Sequence, residues 1–305
     1  MESQRKYPGF WAAVLLCALF LGFQSGLAVP LVVLELVFHV KVFGHPAVLC
    51  GLNTLAGGLT LAVGFLLGRQ PWRQTMPLQP VRWAVLAAVL VTMLGAAILL
   101  SEADNLLRMI LPMPAWVVAM FKLAFGLGGS FWGSLMLLVI VAPVSEELLC
   151  RGLILRGFLS RFGPRKAILL SALLFAGLHL NPWQFVSAFA LGGLLGWWLL
   201  RTGSLVPCLA GHAIYNGCVL AAPYLPWKIP GFNRGDALAP EGFQPWWFDL
   251  LGGELVAIGV LWFRKAAPPR PVAASGTPHA LPPVLTGLEF AARPAPGGSP
   301  VIPRP

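Results

Sequence analysis

The 305-residue sequence is 57% hydrophobic and only 10% charged, with a mean hydropathy of +0.78. That balance excludes an ordinary soluble domain and predicts an all-α, polytopic membrane protein. The net charge of +10 does not point to nucleic acid, because the basic residues are dispersed in short loops between apolar stretches and do not gather on an amphipathic face.

In chain order, a short polar start with Arg5 and Lys6 leads into an apolar span from Gly9 to about Phe38, interrupted near Gln24 and Pro30. Its length and the lack of a clear small-residue cleavage site separate it from a signal peptide. A second span covers about Pro46 to Gly68 and a third about Val81 to Ser101. The stretch from Glu102 to Ser130 reads as a connection, because Asp104, Arg108, Pro112, Pro114 and Lys122 rule out a clean span. Within it, Trp116, Met120, Phe121 and Phe125 suggest an amphipathic piece at the membrane interface.

The fourth span starts near Trp132 and carries Glu146, Glu147 and Arg151; it is followed by a turn at Phe162-Gly163-Pro164. The fifth, about Lys166 to Leu180, carries His179, and the sixth, about Trp183 to Leu200, contains Gly192, Gly193 and Gly196, which allow close helix packing. The seventh, about Ser204 to Ala222, carries His212 and Asn216; a Pro-, Gly- and Trp-rich loop leads to an eighth span ending at Arg264-Lys265. Residues 266–305 read as a disordered tail. This divides the chain into N-terminal helices with an interfacial segment (1–129), a core (130–222), a loop with the last helix (223–265) and the tail.

With eight crossings and a cytoplasmic N-terminus, most Lys and Arg fall on the cytoplasmic side, including the dense run from Arg151 to Lys166; Lys41, Arg108, Lys122, Lys228 and Arg234 fall outside. The bias predicts both termini in the cytoplasm. Cys17, Cys50, Cys150, Cys208 and Cys218 lie in or at apolar spans without metal-type spacing and read as packing residues.

The two adjacent carboxylates in the fourth span demand a reason, since charge in a bilayer is costly. Glu147 and Arg151 are one helical turn apart and can neutralise each other. Glu146 points about 100° away and needs another partner or a chemical role. Helix arithmetic from the turn puts Glu146 and His179 at one level, about 24 Å from it, and His212 about 16 Å into its own helix. Asn216 shares a face with His212.

Two mechanisms fit this set. In one, Glu146 and His179 activate water for attack on a peptide carbonyl while His212 and Asn216 donate to the oxyanion. In the other, Glu146, His179 and His212 hold Zn²⁺, which lowers the pKa of bound water. The sequence has no His-Glu-x-x-His, so a single-helix zinc site of that kind is excluded.

The motifs Glu146-Glu147-x-x-x-Arg151, Phe175-x-x-x-His179 and His212-x-x-x-Asn216, in that order, resemble the signature motifs of the CPBP family, the CAAX-protease and bacteriocin-processing (Abi) membrane endopeptidases. The resemblance covers about residues 130–222. It implies an eight-helix membrane fold, peptide-bond hydrolysis, catalytic use of Glu146, His179, His212 and Asn216, and supporting roles for Glu147 and Arg151. The expected partners are a bilayer and a membrane protein or peptide substrate, with no nucleic acid; the expected location is a bacterial-type inner membrane. Two rivals are a proton- or ion-coupled transporter and a catalytically silent immunity protein of the same fold. Against the transporter, the chain has no inverted repeat and its polar groups cluster in the C-terminal half.

Overall fold

Apolar runs uninterrupted by Gly-Pro breakers form helices throughout the computed structural model, which describes residues 7–40, 42, 45–69, 71–124, 130–233 and 242–268. Among these residues there are ten α-helices: α1 Phe10–Phe38, α2 Pro46–Gly68, α3 Trp72–Thr75, α4 Trp83–Ile110, α5 Ala115–Ala124, α6 Phe131–Leu159, α7 Pro164–Leu178, α8 Pro182–Thr202, α9 Val206–Ala221 and α10 Trp246–Ala266. Proline at the first turn starts α2, α7, α8 and α9, where its missing N–H costs nothing. No strand occurs among the described residues. From residue 269 on, the tail expected to be disordered lies outside them, as do Lys41 and Arg234.

The protein is an all-α polytopic membrane protein. Helices α1, α2, α4, α6, α8 and α10, of 21 to 29 residues, are long and apolar enough to cross a bilayer. Helices occupy all eight expected positions, but α7 and α9, the carriers of the two histidines, have only 15 and 16 residues. At 1.5 Å per residue they reach about 22–24 Å, short of the ~30 Å hydrocarbon layer. By length and composition six helices among the described residues can cross a bilayer, and the expected count of eight is not confirmed.

A second difference concerns α4, which does not stop near Ser101 but runs on to Ile110. The polar residues read as a connection are helical because they satisfy one another. Asp104 pairs with Arg108 one turn on. Asn105 Nδ2 donates to Glu102 Oε2 (2.8 Å) and to Gly231 O (2.7 Å). Glu102 Oε2 also accepts from Gln244 N at 3.0 Å, so the loop between α9 and α10 is held against this end of α4. The amphipathic piece expected beyond it is α5, with Trp116 and Met120 exposed.

The helices pack where small residues let backbones approach. A Cβ at Gly95 would strike the backbone of Gly252 and Val256 on α10, and one at Gly192 would press on Ala172 of α7 and on Arg151. Gly193, by contrast, faces open space. At the other end of the bundle, buried Arg201 donates to Ala267 O and Arg264 O, both at 2.9 Å, tying the last turn of α10 to α8. The start of α9 is held to the segment before α4 by Leu205 N on Pro77 O (2.8 Å) and Ser204 Oγ on Gln79 O (2.6 Å). All five cysteines are free thiols.

Candidate active site

Helix α6 is not a regular α-helix. It widens to π geometry over Met136–Val141 and again over Leu148–Ile154, on either side of the two glutamates. The first widening is legible in its hydrogen bonds. Ala142 N–H bonds back five residues, to Leu137 O. The next donor in that register would serve Leu138 O, but it belongs to Pro143, which has no N–H. Asn216 Nδ2 of α9 takes its place, donating to Leu138 O at 2.8 Å. Such bulges recur at functional sites because they re-aim side chains within a helix.

The regular turn between the bulges sends Glu146 and Glu147 in different directions. Glu147 and Arg151 are both fully buried and joined by Arg151 Nη1 to Glu147 Oε1 at 2.8 Å. That pairing was legible from their spacing. The same Glu147 Oε1 also accepts from His212 Nδ1 at 2.9 Å, which spacing did not suggest. The Arg151 guanidinium lies 4.2 Å from the centre of the Phe175 ring. That ring also meets His179 and His212 edge to face, at 5.2 and 5.4 Å between centroids. Phe175 is thus the apolar wedge that spaces the two imidazoles.

Glu146 points the other way, into a cavity of about 300 Å³ that is also lined by His179, His212 and Asn216. Its side chain is 16% exposed, and Oε2 is buried without a hydrogen-bond partner. Oε2 lies 3.9 Å from His212 Nε2, across the cavity. Among the described residues no ion-pair contact joins Glu146 to His179, so His212 is the nearer imidazole and not the histidine with which the depth arithmetic paired it. His179 sits at the C-terminal cap of α7, just before Leu180 with φ 49°. Its Nδ1 bonds the otherwise orphaned carbonyl of Phe175 at 3.0 Å.

These bonds decide the tautomers. Carboxylate and carbonyl oxygens only accept, so each bond requires a proton on Nδ1 of its ring, and in the neutral form of either imidazole Nε2 presents a lone pair. That is the form a metal ligand takes, with Nδ1 fixed by an outer acceptor. The side chains nevertheless do not converge as a coordination shell: no group of three His, Cys, Asp or Glu among the described residues is placed to hold a metal ion.

Residues 128–218 match a protein-family model described as Rce1-like, type II CAAX prenyl endopeptidase Rce1-like. This segment is of the CPBP family of CAAX-protease-like proteins. It runs from the start of α6 into α9 and holds Glu146, Glu147, Arg151, His179, His212 and Asn216. It is less than a third of the chain, and α1 to α4 lie outside it. No curated protein and no solved structure matches the chain. The matched model is that of a protease family, and the segment that matches it lies within a polytopic helical membrane protein.

Proposed function

We propose that the protein is an intramembrane endopeptidase that hydrolyses a peptide bond with water activated by Glu146. The observation that carries this is the gap between Glu146 Oε2 and His212 Nε2, inside a cavity of the CAAX-protease-like segment. At 3.9 Å it is too long for a direct hydrogen bond and suits one bridging water.

In this reading Glu146 takes a proton from that water as its oxygen attacks the scissile carbonyl, and the proton passes to the leaving amine. His212, held through Nδ1 by Glu147, accepts the second hydrogen of the water at Nε2 and so aims the attacking oxygen. His179 lines the same cavity and relays protons there. Asn216 Nδ2 spends one N–H on Leu138 O; the other donates to the oxyanion. This assigns His212 to the water and not, as its position beside Asn216 suggested, to the oxyanion. No step requires a metal. The geometry of acid and imidazole around one cavity, in a segment of a hydrolase family, favours hydrolysis over ion relay. The bias of basic residues toward one side supports a cytoplasmic position for both termini.

The test compares membrane-associated peptides from cells making the wild-type protein with those making Glu146→Gln. A precursor that accumulates only with the variant, and that the purified wild-type protein cuts, is the expected result. If the two peptide profiles are identical and the purified protein cuts nothing, the endopeptidase reading fails.

A further inference from the structure

The cavity is built at one end of the bundle, and each of α4, α6, α7, α8 and α9 lines it only from about its middle to that end. On α4 the lining begins at Ala97, about 21 Å along the helix from Trp83 at 1.5 Å per residue, and runs to Arg108, close to the last residue, Ile110. On α8, which runs the opposite way, it starts at Trp183 and stops at Leu191, midway along. On α9 it runs from His212 to Ala222, just past the helix, and on α6 it reaches no further than Glu146. The rim lies at the same end, where Trp183 Nε1 donates to Leu111 O at 2.7 Å and so joins the start of α8 to the chain just past α4.

Toward the other end the cavity is floored by packed side chains. Leu149, Cys150 and Leu153 of α6, Leu195 and Trp198 of α8 and Cys208 of α9 are each at most 1% exposed. A peptide has no way to Glu146 through that layer. The helix ends beyond it are basic. Arg82 precedes α4, Arg165 and Lys166 open α7, and Arg264 and Lys265 close α10. Helix α2 runs parallel to α6, with Gly57 against Ser145 and Gly64 against Leu153, so its last residue delivers Arg69 to this end as well. Basic residues concentrated at the ends of membrane helices mark the cytoplasmic side.

We propose that the site is entered from the non-cytoplasmic side of the membrane, so that the substrate is a polypeptide segment on the far side of the bilayer and not a tail on the cytoplasmic face. The inference rests on the endopeptidase reading of the cavity; what it adds is the side from which the peptide comes. The floor closes the route from the basic end, and the rim opens the one opposite.

The test uses sealed membrane vesicles of both orientations, right-side-out and inside-out, from cells making the full-length wild-type protein. The probe is a quenched-fluorophore peptide library with charged ends, added outside the vesicles; vesicles with Glu146→Gln set the background. Cleavage is expected to be faster in right-side-out vesicles by about 10-fold or more, because the charges on the peptides keep them out of the bilayer. The two preparations are expected to become equal once detergent opens them. Lys166→Cys, at the exposed start of α7, reports where the basic end lies. A membrane-impermeant maleimide is expected to label it, above the level of the parent protein, in inside-out vesicles only. The cleavage comparison needs no variant at that position, so it decides the matter if Lys166→Cys does not fold. Equal or faster cleavage in inside-out vesicles overturns the entry side while leaving the endopeptidase standing, as does labelling of Lys166→Cys in right-side-out vesicles. No cleavage above background even in detergent overturns both.

Discussion

Glu147 Oε1 accepts a hydrogen bond from His212 Nδ1 at 2.9 Å, and from Arg151 Nη1 at 2.8 Å, so one buried carboxylate oxygen joins α6 to α9 and orients the imidazole that faces Glu146. The two adjacent glutamates therefore divide the work: the half-buried one meets the cavity and the fully buried one holds the partner in place.

Glu146→Gln keeps the size of the side chain and removes its basicity. Turnover on the identified substrate is expected to drop by about 10²-fold or more, with the thermal transition in detergent unchanged. Near-normal turnover would remove Glu146 from the mechanism.

Glu147→Gln leaves the Arg151 guanidinium, 0% exposed, without its counter-charge. Stability is expected to drop by about 3–5 kcal/mol, read as a lower thermal transition and lower yield. Glu147→Gln/Arg151→Met removes both charges, so it should recover the stability. Activity should remain depressed by about 10- to 100-fold because the carboxylate that orients His212 is still missing. Recovery of full activity together with stability would reduce Glu147 to a structural ion pair.

Asn216→Ala orphans Leu138 O inside the bundle, at a cost of about 1–3 kcal/mol. Pro143→Ala supplies the N–H that α6 lacks at that register. The double variant is thus expected to be more stable than Asn216→Ala alone, in a thermal double-mutant cycle, while still lacking the oxyanion donor and its activity. Additive stability effects would disconnect Asn216 from the wide turn.

A strong chelator is expected to change neither the activity nor the thermal transition. If the histidines and Glu146 instead held a metal, they would tie three helices together and its removal would lower both. Elemental analysis of the purified protein before and after chelation, with turnover measured on the same samples, checks this; stoichiometric zinc whose loss kills activity would overturn the metal-free mechanism.

Much of this was available in the amino-acid order. Long apolar runs with Pro at their starts can satisfy their backbone groups in a bilayer only as helices, so the helical membrane class and the helix positions followed from composition and punctuation. The Glu147–Arg151 pair followed from an i,i+4 spacing, which is a local property of one helix. Three motifs in order named the family that the matched segment now carries.

What the tertiary structure decided are relationships between helices, which no spacing along one of them contains. Counting residues from a turn assumes regular rise and ignores rotation about the helix axis, and the π turns of α6 break both assumptions. Pro143 was the one local sign of the first bulge, and only the position of α9 shows that Asn216 answers it. For the same reason depth alone paired Glu146 with His179, whereas rotation of α6 and α9 sets Glu146 opposite His212. The polar end of α4 looked like a connection because Asp104 and Arg108 are costly in a span taken alone; they stay helical because they pair with each other and face a cavity that only the packed bundle encloses.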